Sequence, residues 1–415
     1  MRTDLLATVA CAALLLAPTV AGAQSAGYAH APFRDHPVAV AQGAALERIE
    51  VAARALAASG AAADDDDHAM AKAGDDDDDD QAQAAGAAKE EEEEGGPLVD
   101  FGLLQASLAA ASPKLEKALA AAIDEMVEAA EHGKDADEPA EEVIRLTEQA
   151  RGKLINDAVA KSASFQAALM ASLLLDEGGV AEGYEEATKG EAQSYASGYF
   201  ALQRVKASWK ALAKHASPEQ AAEVTASLAL LDGLFPSQQT PEHLSADPEQ
   251  AEAPAQQLVG LLEGVADAEL YLGRDLAVAA GVVHDLTAEG CASLKQKKEA
   301  LGIERLRIAA AYYGQTVRDT LGLLAPEAAA TIKAGLKEVD EGEADELAEA
   351  CGPLLAALAE GKAALTPCPP WNARDSGVPT GSWMRSNKSA SRWTRASSWL
   401  SLGRTAPASR RCCTC

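Results

Sequence analysis

Glu263 and Asp267 stand four residues apart in a stretch with helical apolar spacing, so both carboxylates are predicted to share one helix face. Glu269 and Tyr271 follow closely, and a hairpin at Gly273 can return His284-Asp285 toward Asp267. Carboxylates with one imidazole suit iron, manganese or zinc, which makes Glu263, Asp267, His284 and Asp285 the candidate metal site. The plainer alternative is that the acidic pairs solubilise a helix while His284 packs or caps. Glu128 and His132 repeat the four-residue spacing more weakly. The runs Asp64–Asp67, Asp75–Asp80 and Glu90–Glu94 offer oxygen ligands too, but without fixed geometry.

Catalytic motifs are missing from the text. It has no nucleophile-elbow pattern, no Gly-rich phosphate loop before a helix and no metalloprotease His spacing, so an enzyme is not expected. Charge narrows the partners. Sixty-four acidic residues oppose 36 basic ones, for a net charge of −28, and residues 24–366 alone carry −35. A body this acidic repels phosphate backbones and anionic lipid, which argues against nucleic acid as a partner. It favours cations or basic surfaces.

The elements that must position these groups read as helices. Arg2, the apolar run Leu5 to Leu16 and the string Ala21-Gly22-Ala23 predict a signal peptide over 1–23, hence a periplasmic or secreted protein. No later run is long and apolar enough to span a membrane after cleavage. Residues 24–59 form an N-terminal segment with one short helix, Ala44 to Ser59, where Leu46, Ile49, Ala53 and Leu56 are spaced helically. Residues 60–96 are predicted to be a disordered Asp/Glu-rich linker, because like charges cannot bury enough apolar surface to offset chain entropy.

Two helical domains are expected, 97–235 and 255–366, separated by a Pro-rich linker or long inter-helix loop at 236–254. Ser112-Pro113 opens the first clear helix, with Leu115, Leu119, Ala122, Met126 and Ala129 as its apolar stripe. Val143, Leu146, Leu154 and Ile155 mark the next buried side, and Phe165–Leu175 is a richer core segment. Later helices are predicted at 255–270, 274–289, 291–322, 326–340 and 343–364. No alternating β-branched runs occur, so the fold class is all-α, an Ala-rich helical bundle. Cys291 and Cys351 lie in the helical body, either paired or as two separate small residues.

The segment Glu304-Arg305-Leu306-Arg307-Ile308-Ala309-Ala310-Ala311-Tyr312-Tyr313, followed by Ala325-Pro326-Glu327, resembles the exported soluble region that precedes the membrane helices of bacterial high-affinity iron permeases. The similarity covers about 180–366. It implies a binding module associated with uptake of iron or another divalent cation, with a membrane permease or other uptake component as partner. The permease's Arg-Glu-x-x-Glu motif is absent, as is the His-x-x-Glu motif of the neighbouring imelysin-like proteins, so transport itself is not assigned. The other expectation is an exported acidic helical protein with a structural or interaction role and no specific ligand.

Residues 367–415 break from this pattern. They hold four of the five Trp, a net charge of +7 and no helical stripe. Ala-rich text from GC-rich DNA turns into such Arg/Ser/Trp text when read one base out of frame. Shifting Ser391–Leu402, with GC-rich codons assumed, brings acidic residues into an apolar run similar to the start of a permease's first membrane helix.

Overall fold

The computed structural model describes residues 32–66, 97–241, 243–245, 247–270, 275–341 and 343–366. The expected signal peptide, most of the acidic linker and the basic tail lie outside them. Every regular element among the described residues is helical, so the fold is all-α. The first half runs α1 (Pro32–Asp35), α2 (Pro37–Asp66), α3 (Pro97–Gly102), α4 (Gln105–Ala111), α5 (Pro113–Glu131), α6 (Asp137–Leu154) and α7 (Asp157–Ala160). Then come α8 (Ala163–Leu175), α9 (Val180–Thr188), α10 (Ala192–Leu212) and α11 (Pro218–Leu234). After the Pro-rich connection follow α12 (Glu249–Ala266), α13 (Leu276–Lys295) and α14 (Glu299–Tyr312). A π-helical segment, Tyr313–Val317, leads to α15 (Arg318–Leu324), α16 (Pro326–Glu341) and α17 (Ala344–Leu365). Among the described residues, no helix is long and apolar enough to cross a membrane.

Local chemistry explains where these helices start and which face they bury. Ser217 caps α11 by accepting from Gln220 N at 3.2 Å, while Gln220 Oε1 accepts from Ser217 N at 2.9 Å. Pro218 then sits in the first turn, where its missing N–H costs nothing. On α5 the whole predicted stripe, Leu115 to Ala129, is buried, with Leu119, Ile123 and Met126 fully enclosed. Each such large side chain contributes about 1.5–3 kcal/mol by leaving water.

The largest departure from expectation is α2. The short helix predicted at 44–59 spans 30 residues and forms the spine of the bundle, packing on α3, α5, α6, α8, α10 and α14. Its Ala44, Ala45 and Ala53 let neighbours approach closely, and Leu46 and Ile49 are fully buried. Helix α2 runs on through residues 60–66, where Ala61 to Ala63 have high helix propensity.

Further along, α12 begins at Glu249 and contains Pro254, so residues 235–248 connect α11 to α12 within one continuous core. The break predicted at residue 290 falls instead at Gln296-Lys297-Lys298, where Lys297 has φ 59°. Gly290 does not end a helix. It lets α13 meet α14, because a Cβ there would lie 3.0 Å from the Gly302 carbonyl oxygen. The α13–α17 contact is closed by a disulfide between Cys291 and Cys351, both buried.

Helices α9 and α10 cross at Gly183 and Gly198. A Cβ on Gly183 would stand 2.6 Å from Ser194 O and 2.8 Å from Gly198 N. Behind this crossing Phe235 packs on Tyr184 and Tyr195, with ring centroids 5.8 and 4.9 Å away. Gly183→Ala is therefore expected to destabilise the fold by about 1–3 kcal/mol, since backbone cannot step aside as a side chain can. Gly260→Ala on α12, where nothing lies within 4 Å, should instead stabilise by up to about 1 kcal/mol. Urea midpoints of the two variants check the contrast; a shift in the same direction for both would refute it.

Candidate functional site

The four predicted metal ligands do not converge. Glu263, 3% exposed on α12, accepts the backbone N–H of Leu270 at 3.0 Å and so closes the chain turn after its own helix. Helix α12 stops at Ala266, and Asp267 turns left-handed as its C-cap, at φ 50° and ψ 43°. The four-residue spacing therefore does not keep Glu263 and Asp267 on one face: the first is buried and the second exposed. Asp is one of the few residues that tolerate that conformation.

On α13, His284 Nδ1 lies 3.0 Å from Asp285 Oδ1, an adjacent pair at the surface. Tyr271 and the expected hairpin at Gly273 lie outside the described residues. His132 Nδ1 is 2.8 Å from the Glu128 backbone oxygen, so that imidazole caps the end of α5. Among the described residues, no three His, Cys, Asp or Glu side chains gather as a metal shell.

Acidic groups gather elsewhere. A cleft of about 550 Å³ opens between α2, α8, α9, α12, α14 and the π-helical segment. Five carboxylates line it, from Asp176, Glu177, Glu182, Glu185 and Glu252, against the single guanidinium of Arg48. That guanidinium is already committed: Arg48 Nε and Nη2 donate to Asp100 Oδ1 at 2.8 and 2.6 Å. Its Nη1 lies 3.4 Å from Ser172 Oγ and 3.7 Å from Asp176 Oδ2. Ser172 Oγ donates to Asp176 Oδ2 at 2.5 Å and holds the carboxylate in place.

Burial sets the electrostatics of this wall. It pushes the Asp176 carboxyl above the usual carboxylate range, although Arg48 and Ser172 pull the other way. Glu182 is raised for the same reason, despite the Gly178 N–H donated to it at 2.6 Å. Burial opposes the Arg48 charge, yet Asp100 and Asp176 outweigh it and hold the guanidinium above its ordinary value. Tyr312 donates its hydroxyl to Pro37 O at 3.0 Å, and burial pushes its phenol up. Just beyond, the π-helical turn brings Gln315 and Thr316 to the cleft. Such turns recur at functional sites because the extra residue re-aims side chains.

Two further polar clusters, also invisible to periodicity, sit on α2. Glu304, 1% exposed, accepts from Gln42 Nε2 at 3.2 Å, Ser107 N at 2.8 Å, Ser107 Oγ at 2.5 Å and Arg305 Nη1 at 2.8 Å. This carboxylate is well satisfied and ties α2, α4 and α14 together. Glu47 pairs with Arg204 and with Arg151, and Glu50 lies 3.8 and 3.9 Å from the same two guanidinium groups. One signal for all this was in the text. Leu46-Glu47-Arg48-Ile49-Glu50-Val51 alternates so closely that no side of α2 is purely polar, and some of its charges must be enclosed.

What the cleft can do is hold positive charge against half-buried carboxylates beside aliphatic side chains. No family model, characterised protein or solved structure matches this chain, so its chemistry is argued from the cleft itself.

Proposed function

We propose that this protein is a non-catalytic, exported binding module that captures a cation in the α2–α8–α9–α12–α14 cleft for an uptake system, iron and other divalent cations being the first cargo to test. A membrane permease or another uptake component is the proposed partner. The observation that carries the reading is the imbalance of the lining, five carboxylates facing one guanidinium that Asp100 already neutralises. Export places such a protein where free cations are met, and the acidic body raises their local concentration.

Equilibrium binding of Mn²⁺ and of anaerobic Fe²⁺ in about 150 mM salt tests it. The Asp176→Asn/Glu252→Gln variant is expected to bind several-fold more weakly than the wild type. Binding should also weaken as pH falls, and start to do so above the pH at which ordinary carboxyls titrate, because carboxyls raised by burial take up protons before ordinary ones do. Equal binding by both proteins would leave only the diffuse field of the acidic surface and remove the metal cargo from the proposal.

A further inference from the structure

The cleft has a surface that a hydrated metal ion does not use. Val40, Ala44, Val259 and Ile308 give it an aliphatic wall, and the small side chains of Ala168 and Ala171 keep that wall open. Its volume, about 550 Å³, falls within the range of small-molecule sites, roughly 300–1,000 Å³. Direct metal capture needs several oxygen or nitrogen ligands in one place, and no group of three exists among the described residues. The carboxylates instead border an apolar slot, Asp176, Glu182 and Glu252 half-buried at its sides.

Charge and apolar wall together fit an organic cation. Resting on the cation-capture reading above, we propose that the cleft takes a linear aliphatic diamine or polyamine. Its methylenes cover the aliphatic wall and its ammonium groups pair with the lining carboxylates, Asp176 and Glu252 among them. An ammonium brings three donors and keeps its charge at neutral pH, so it satisfies half-buried carboxylates without losing a proton. Arg48 spends its two shortest bonds on Asp100 and reaches Asp176 only at 3.7 Å, so Asp176 is shared with it while Glu252 is not among its ion partners. A neutral molecule leaves the lining carboxylates unneutralised, and an anionic one is repelled by them.

A chain-length series on the full-length protein tests the idea without any mutation. Titration calorimetry with 1,3-diaminopropane, 1,4-diaminobutane and 1,6-diaminohexane is expected to show affinity rising roughly two- to four-fold per methylene. 1,6-Hexanediol, which has the methylenes and no charge, should show no saturable binding. Asp176→Asn and Glu252→Gln, made separately and checked by melting temperature, should each weaken the hexanediamine by about ten-fold. Affinity that ignores chain length, or a diol that binds as well as the diamine, overturns the proposal. If Mn²⁺ then still binds and is lost in the same variants, cation capture stands and only the amine is wrong. If neither probe responds to the variants, both readings fall.

Discussion

Replacing Glu47 by alanine is expected to remove about 3–5 kcal/mol of stability, the range for leaving buried charge without its partner. Glu47 has a side chain only 4% exposed, and it receives Arg204 through two nitrogens and Arg151 Nη2 at 3.0 Å. Without it, Glu50 remains at 3.8 Å from Arg151 and 3.9 Å from Arg204, and only the exposed Glu148, at 3.0 Å from Arg151 Nη1, still bonds either guanidinium closely. Arg151 is the more enclosed of the two. Its Nε and Nη2 have no well-directed hydrogen bond even now, so the attraction to Glu47 acts mainly as an ion pair. Urea unfolding followed by circular dichroism measures the loss. The joint replacement Glu47→Leu/Arg151→Met/Arg204→Met should recover most of it, because the cost comes from stranded charge and not from missing volume. A loss below about 1 kcal/mol for Glu47→Ala would mean that water reaches the cluster and screens it.

Removing the disulfide with Cys291→Ala/Cys351→Ala should cost a comparable amount. The crosslink joins residues 60 apart in sequence, and closing a loop of that length restricts the unfolded chain by roughly 4 kcal/mol on the chain-entropy account. Both cysteines are buried where α13 and α17 pack, so the variant also loosens the α13–α17 contact. Substitution is a cleaner test than a reductant, because Cys368, Cys412, Cys413 and Cys415 would react as well. The double variant should unfold at clearly lower urea, with an altered slope reporting a less restricted unfolded state. An unchanged midpoint would show that the two cysteines are not crosslinked in the protein.

What the sequence disclosed and what it concealed divide along a physical line. The stripe of α5 and its start at Pro113 are local facts, written in neighbours a few residues apart, and both are found as read. The Cys pair could be named but not joined, since two cysteines 60 residues apart say nothing of their distance. Asp267 failed for a subtler reason: helical spacing was extended one residue past the point where the helix ends. The cleft was out of reach altogether. Its walls come from α2, α8, α9, α12 and α14, and only packing puts Arg48 beside Asp176. For α2 helical spacing marks only Leu46, Ile49, Ala53 and Leu56, and it carries no sign of the ion partners of Glu47 and Arg48, which lie as far away as Asp100, Arg151 and Arg204.

The spine of this fold is written early and fastened late. Glu47 meets Arg204 across 157 residues, Gln42 meets Glu304 across 262, and Pro37 receives the Tyr312 hydroxyl across 275. Helical bundles of local contacts form quickly, whereas contacts of such separation must first close very long loops, which slows folding. During synthesis α2 leaves the ribosome with its central ion partners still unmade, and it stays incompletely packed until α14 has followed. Complete packing of the spine thus waits on the last of its partners in sequence, α14.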